Sequence, residues 1–261
     1  MTTKTRPRAT KATVTATYTA AALAAGLLLT GCSFGSLVSR GGPGNTASAD
    51  TTVAEAVTAV DVSDAGSGSI EVVAGSGPGV TVRRTVHYRG DTVPQPAQRL
   101  SGGVLTLTNG SCSGRCSVDY RLEVPASATV RAESGSGRVT VAGVAAADVT
   151  TSSGSVRADR IAGPLTVRTF SGSIAAEELA GPAADARSSS GDVRLAFGKA
   201  PSSVAVETSS GDAEVKVPAA PYALDLSTTS GGREITVPAD PSATARVAVR
   251  TTSGDITVSA A

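Results

Sequence analysis

Seven Ser-Gly pairs in the second half of the chain follow one another at intervals of 17 to 23 residues. Internal repetition with a period near ~20 residues is typical of proteins that stack one small structural unit on the next. A single unit cannot bury its own apolar side chains, so neighbouring units bury them together. The repeat therefore predicts a solenoid. The pairs end at Gly137, Gly154, Gly172, Gly191, Gly211, Gly231 and Gly254.

The residues on both sides of each pair keep a common register. Counting from Gly172, positions −7 and −5 are Leu165 and Val167, and positions +2 and +4 are Ile174 and Ala176. Apolar residues two apart indicate strands rather than helices. Each repeat is therefore predicted to be two short strands joined at Ser-Gly, and a second corner rich in Gly and Pro completes one coil. The fold class follows as an all-β, single-domain β-solenoid.

The corner between the two strands restricts the backbone conformation and hydrogen bonding of the residues that form it. A sharp strand-to-strand corner often requires φ > 0, which glycine adopts without steric cost, so we expect this conformation at the seven glycines. The Ser before each glycine is expected to hydrogen-bond the local backbone. In one repeat an extra glycine, Gly232, predicts a one-residue slip that moves the apolar pair to Ile235 and Val237.

The N-terminus has the pattern of a secretory signal peptide. Four basic residues precede an uncharged stretch over 12–30, whose most apolar part is 20–29. The stretch ends in Leu-Thr-Gly-Cys at Cys32, which resembles the lipobox of bacterial lipoproteins, in which the Cys thiol is acylated with diacylglycerol. We expect residues 1–31 to be removed and Cys32 to hold the protein on the cell membrane, outside the cytoplasm. The alternatives are an uncleaved anchor helix and an ordinary signal peptide with a chance cysteine.

Removal of residues 1–31 changes the charge balance from 23 − 22 = +1 to 19 − 22 = −3, because four basic residues and no acidic residue leave. A nucleic-acid binder needs a basic face, so we expect no nucleic-acid partner. Residues 32–57 are rich in Ser, Gly, Ala and Thr and predict a flexible tether. The solenoid domain is predicted over 58–261, with an irregular N-terminal cap over 58–125 and regular Ser-Gly repeats over 126–261.

The run from Val118 to Val141 resembles a known family. It reads VDYRLEVPASATVRAESGSGRVTV, an alternating strand followed by Val-Pro, a short polar link and the first Ser-Gly repeat. Together with the later TSSG and SSGD units, it resembles the bacterial putative-adhesin family, a domain-of-unknown-function family of surface β-solenoids. The resemblance covers about residues 58–261. It implies a surface or envelope-facing protein with an adhesive role and no catalytic residues.

Cys112 and Cys116 are the cysteines that remain after Cys32. In an exported protein, two cysteines this close in sequence predict a disulfide that closes a hairpin tip. Half of a metal site is the alternative. A C-x3-C pair with one histidine in the whole chain offers too few ligands for it.

Groups that could carry catalysis are scarce. His87 is the sole histidine and is expected on the surface of a strand. Asp192 and Asp212 follow the glycines of neighbouring repeats, so they are weak candidates for a glycosidase carboxylate pair or a shared calcium ion. Solvated turn residues are the simpler interpretation of both. We predict no catalytic residue, no cofactor and no dedicated metal site.

The sequence thus favours a lipid-anchored β-solenoid that acts as a structural or interaction module, with an adhesive role towards a protein or glycan surface. The alternatives are an envelope sensor or regulatory partner of another membrane protein, and a polysaccharide-active β-helix enzyme. The regular repeat runs to Val258. A final coil over 246–261 is therefore expected to leave strand edges unpaired and to support weak self-association.

Overall fold

The computed structural model describes residues 39–40, 44–63, 65–112 and 116–261. They all belong to one compact unit, and their regular secondary structure is entirely β-strand. No helix among them is long and apolar enough to cross a membrane. The predicted signal peptide and Cys32 lie outside the described residues.

Eight strands precede the regular repeats: β1 (Ser39–Arg40), β2 (Asn45–Val53), β3 (Ala59–Ser63), β4 (Ile70–Gly75), β5 (Val80–Tyr88), β6 (Ala97–Ser101), β7 (Val104–Thr108) and β8 (Ser117–Pro125). The repeats form the remaining strands: β9 (Thr129–Ser134), β10 (Val139–Ala142), β11 (Ala146–Thr151), β12 (Val156–Asp159), β13 (Leu165–Thr169), β14 (Ile174–Leu179), β15 (Ala183–Ser190), β16 (Val193–Phe197), β17 (Ser203–Ser210), β18 (Ala213–Val217), β19 (Ala223–Ser230), β20 (Arg233–Ile235), β21 (Arg246–Ser253) and β22 (Ile256–Ala260).

The two strands of each repeat belong to different sheets. The strand before the Ser-Gly corner lies in a 10-stranded sheet, and the strand after it lies in a 12-stranded sheet. Neighbouring repeats pair in parallel and in register, so that Val167 pairs with Ala186 and Ala176 with Leu195. Each repeat is therefore one coil, and the predicted all-β solenoid is confirmed.

Alternation along the strands builds the core between the two sheets. In β17, Val204 and Val206 are buried, whereas the residues beside them face outwards. Most of the inward positions hold Val, Ala, Leu or Ile, which suit a narrow interior. Two of the largest fully buried side chains lie near the two ends of the stack of coils. Tyr120 lies in the outermost coil at one end, and Tyr222 lies just before β19 at the other.

The last coil in the sequence does not lie at the end of the stack. The sheets run in the orders β16-β18-β22-β20 and β15-β17-β21-β19, so the coil of β21 and β22 is inserted between two earlier coils. Ile256 and Val258 are fully buried there. The prediction that 246–261 forms an open end is therefore wrong, because β19 and β20 cover it.

The predicted slip at Gly232 is also wrong. Arg233 pairs with Ile256 and Ile235 pairs with Val258, so these two residues occupy the inward positions of β20. Gly232 simply takes the place that Asp and Ser hold in other coils, and Val237 is buried in the turn that follows.

The same inversion occurs at the N-terminal end. The coil of β3 and β4 lies between the coil of β9 and β10 and the coil of β7 and β8. The part predicted as an irregular cap therefore contains two stacked coils. Strands β5, β2 and β1 then extend the 12-stranded sheet in antiparallel fashion, and β6 extends the other sheet through a hairpin with β7.

Residues 45–53, predicted within the flexible tether, are strand β2. Each of them has a pairing partner on β5, from Asn45 with Tyr88 to Val53 with Val80. Val53 is buried, and the other side chains of the strand are not. Main-chain pairing rather than apolar burial therefore holds this segment, which is why its polar composition gave no sign of it.

Candidate functional site

The corner glycines stack into one continuous column through the solenoid. A Cβ atom built on Gly154 would lie 2.0 Å from the carbonyl oxygen of Gly137, and one built on Gly191 would lie 2.4 Å from that of Gly172. Real Cβ atoms do not approach a carbonyl oxygen this closely, so a side chain here forces the coils apart. In spatial order the glycine column is Gly68, Gly137, Gly154, Gly172, Gly191, Gly211, Gly254 and Gly231.

Positive φ, the predicted reason for glycine at these corners, occurs in only part of the column. Gly211, Gly231 and Gly254 have φ between 151° and 154°. The other four of the seven predicted corner glycines do not have positive φ. For Gly137, Gly154, Gly172 and Gly191, close approach of the next coil is what excludes a side chain.

Hydroxyls three residues before the glycines form a ladder along the corners, and six of the seven bond to a carbonyl group of a neighbouring coil. Thr208 donates to the carbonyl oxygen of Gly191 at 3.1 Å, and Ser188 donates to that of Gly172 at 3.0 Å. Hydrogen bonds of this kind satisfy carbonyl groups that the corner would otherwise bury unpaired. The local hydrogen bond predicted for the Ser just before each glycine is made, in three coils, by the residue two places earlier, whose hydroxyl accepts the N–H of Gly137, Gly154 or Gly172. The members of this hydroxyl ladder are the buried residues Ser134, Thr151, Thr169, Ser188, Thr208 and Thr251 and the half-buried Thr228.

The Ser of each pair faces solvent instead. All seven are exposed, and they form a row along the corner edge of the solenoid. Beside this row, one place before Ser171, lies Phe170, a residue that is 68% exposed. We call this set the corner ridge: Phe170 together with Ser136, Ser153, Ser171, Ser190, Ser210, Ser253 and Ser230.

The two predicted carboxylates lie on neighbouring coils but serve the backbone. Asp192 Oδ1 accepts the N–H of Asp212 at 3.1 Å, Asp212 Oδ1 accepts that of Asp255 at 2.9 Å, and Asp255 Oδ1 accepts that of Gly232 at 2.7 Å. Asp192 also pairs with Arg194. This carboxylate ladder is a structural use of the acids. Within the described residues, no group of three or more His, Cys, Asp or Glu is placed to hold a metal ion.

His87 has a partner that the sequence did not indicate. Its Nε2 lies 2.8 Å from Asp119 Oδ2, and its Nδ1 lies 3.5 Å from the Thr46 hydroxyl. Asp119 Oδ1 also accepts hydrogen bonds from the backbone N–H and hydroxyl of Ser69. Partial burial opposes ionisation of Asp119, but the hydrogen bonds from Ser69 and His87 together outweigh it and lower the pKa of this carboxyl group. The arrangement sits at an open cleft of about 560 Å³ that includes Ser67 and Arg89.

Asp119 could have been found from the register of the coils. It precedes Tyr120, which pairs with Ile70, so Asp119 lies opposite Ser69 at the position just after a corner. The same position holds Asp192, Asp212 and Asp255 at the far end of the stack. The sequence spacing hid this relation because 50 residues separate Ser69 from Asp119.

The sulfur atoms of Cys112 and Cys116 are bonded, with Cα atoms 5.5 Å apart, a normal disulfide separation.

On the outer faces, half-exposed ion pairs cross between coils, as between Arg194 and Glu214 at 3.5 Å. Pairs of this kind contribute about 0–1 kcal/mol each and balance the two signs of charge.

A family model identifies the protein family to which the repeat belongs. The model described as Toastrack DUF4097 matches residues 92–259, well over half of the chain. The chain belongs to the Toastrack DUF4097 family. The matched Toastrack region begins just before β6, so the coil of β3 and β4 precedes it in sequence but stacks inside the same solenoid.

This Toastrack chain is also similar, at low sequence identity, to solved structures. A protein described as a putative adhesin from Bacteroides fragilis has 12% identity and a TM-score of 0.47, covering 83% of this chain and 97% of that chain. A putative adhesin from Parabacteroides distasonis has 16% identity and a TM-score of 0.45, covering 82% and 97%. A putative cell adhesion protein from Clostridium sporogenes has 9% identity and a TM-score of 0.38, covering 82% and 100%. No curated protein matches the chain.

Proposed function

We propose that the protein is a lipid-anchored, extracytoplasmic interaction module with an adhesive role, and that the corner ridge is its contact surface. The observation that carries the proposal is Phe170. This aromatic residue is 68% exposed within a long row of exposed hydroxyls. An aromatic ring flanked by hydrogen-bonding groups suits a protein or glycan surface, because aromatic anchors dominate many interfaces.

Two features favour binding over catalysis. The carboxylates that could act on a polysaccharide, Asp192 and Asp212, already accept backbone N–H groups. The outer faces are covered by ion pairs that satisfy one another, whereas the corner ridge presents hydroxyls that face solvent. The ridge is therefore the surface best able to form new contacts.

Replacement of Phe170 by Ser is expected to weaken attachment at least about fivefold, because loss of an aromatic anchor commonly costs about 1 kcal/mol or more. The measurement is binding of beads coated with the full chain to cells of the producing organism from which the gene has been deleted. Ser189→Ala, at the equivalent position of the next coil, is the matched control and should bind as wild type. Equal binding by the Phe170→Ser beads would remove the ridge from the proposal. Capture of one stoichiometric membrane protein would instead favour the sensor function.

Anchoring is tested separately. The lipobox at Cys32 leads us to expect that Cys32→Ala blocks both lipid attachment and cleavage after Gly31, because the thiol is the site of acylation. Intact-mass analysis of the membrane-extracted protein should show a diacylglyceryl-Cys N-terminus in wild type and none in the variant. An unmodified N-terminus within residues 33–56 of the wild-type protein would contradict the anchor.

A further inference from the structure

The open end of the solenoid is formed by β19 and β20, each the last strand of its sheet. Leu224 and Leu226 point inward there but are only partly buried, whereas Val247 and Val249 on the coil beneath are fully buried. Ile235, which pairs with Val258, is 46% exposed. This end therefore presents two strand edges together with an incompletely covered core.

One inward position at this end holds a charge. Arg233 pairs with Ile256 and so occupies a column that is apolar in every repeat beneath it, yet its own side chain is exposed. Inward-pointing charges on edge strands are a recognised means of preventing unwanted pairing. The residues below Arg233 in this column are Ile256, Ala213, Val193, Ile174, Val156 and Val139.

A second copy of this chain is the partner that the geometry fits. One extended peptide could pair with only one of the two edges. An identical end, related by a twofold axis normal to the sheets, supplies both edges at the right separation and pairs them in antiparallel fashion. It also covers the partly buried leucines.

The same symmetry explains how Arg233 acts. In a twofold contact each residue meets the copy of its own region. Because β20 has only three residues, the two Arg233 side chains come close together between the two apolar ends. Bringing two unpaired like charges out of water is strongly unfavourable.

We propose that the end formed by β19 and β20 is a self-docking surface for a second copy of this chain, and that Arg233 keeps it from docking. The wild-type protein does not associate through this end. Replacing Arg233 with an apolar residue like those beneath it in the column removes the charge and lets two copies dock through this end.

The test is sedimentation equilibrium of the full chain in one detergent, with every variant treated alike. Wild type and Arg233→Lys are expected to show the protein mass of one chain. Arg233→Val is expected to rise towards twice that mass as concentration increases. Addition of Leu226→Lys to Arg233→Val should restore the single-chain mass, and thermal melts check that each variant folds.

Each other outcome overturns the proposal. A wild-type protein that already dimerises through this end, shown by loss of the dimer with Leu226→Lys alone, would mean that Arg233 is no barrier. An Arg233→Val protein that folds and stays a single chain would mean that this end is not a docking surface. A dimer of Arg233→Val that persists with Leu226→Lys would place the contact elsewhere.

Discussion

Replacement of Gly191 by Val is expected to destabilise the solenoid by about 3 kcal/mol or more, because overpacking against a rigid backbone is not relieved by side-chain movement. A Cβ atom at Gly191 would lie 2.4 Å from the carbonyl oxygen of Gly172 and 2.7 Å from its carbonyl carbon. The two coils must separate at this point, and the hydrogen bonds on both sides of the corner lengthen. The cost arises from contact alone, since Gly191 does not have positive φ.

The measurement is the midpoint of thermal unfolding, which should fall by about 6–12 °C for a domain of this size. Gly77→Ala is the matched control, because no atom lies within 4 Å of a Cβ atom built there. Ser189→Ala, at an outward position beside the corner, should also melt like wild type. A Gly191→Val protein with an unchanged midpoint would show that the coils are not stacked through the glycine column.

Ile256→Lys is expected to be among the most damaging single substitutions in the chain, and Ile235→Lys among the mildest. Ile256 lies between β18 and β20 with 0% of its surface exposed. An unpaired buried charge costs about 3–5 kcal/mol. Ile235 lies on the outermost coil and is 46% exposed, so its lysine reaches water, and the expected change is within about 0.5 kcal/mol.

Chemical denaturation of both variants checks this contrast. The two substitutions are chemically identical, and the two residues occupy equivalent inward rows, so position in the stack is the main difference between them. If coils were stacked in sequence order, residue 256 would lie at the exposed end and residue 235 inside, and the order of the two stabilities would be reversed.

The sequence was sufficient to predict the coil but not the order of the coils. Period-two apolar positions and the glycine spacing are local signals, and they predicted both strands of every repeat except β20. Which coil lies against which is decided by contacts across many residues. The pairing of Ser210 with Ser253 leaves no mark in the local sequence, because every coil presents nearly the same edge to its neighbours.

For the candidate site, the sequence likewise predicted the rows of residues but not their roles. The row of Ser residues and the acids after the glycines were visible as columns in the repeat. Their roles were not, because the exposed Ser differ from the buried hydroxyls of the ladder only by two positions. The partnership of His87 with Asp119 joins β8 to β5, which pairs with it in antiparallel fashion and lies outside the coils, so the register of the repeat does not extend to His87. The inward position of Arg233 was missed because the apolar residues Ile235 and Val237 look in the sequence like the pair displaced by the extra glycine.

The order of the coils is tested most directly by engineered cysteine pairs on the corner edge. Ser210 and Ser253 are exposed and are pairing partners on adjacent strands, so their Cα atoms are about 4.8 Å apart, within disulfide range. Ser210 and Ser230 are separated by the inserted strand β21, which places them about 10 Å apart, beyond disulfide range. Mass spectrometry after mild oxidation should find a cross-link in Ser210→Cys with Ser253→Cys and none in Ser210→Cys with Ser230→Cys. The opposite result would show that the coils follow sequence order and that the open end is formed by 246–261.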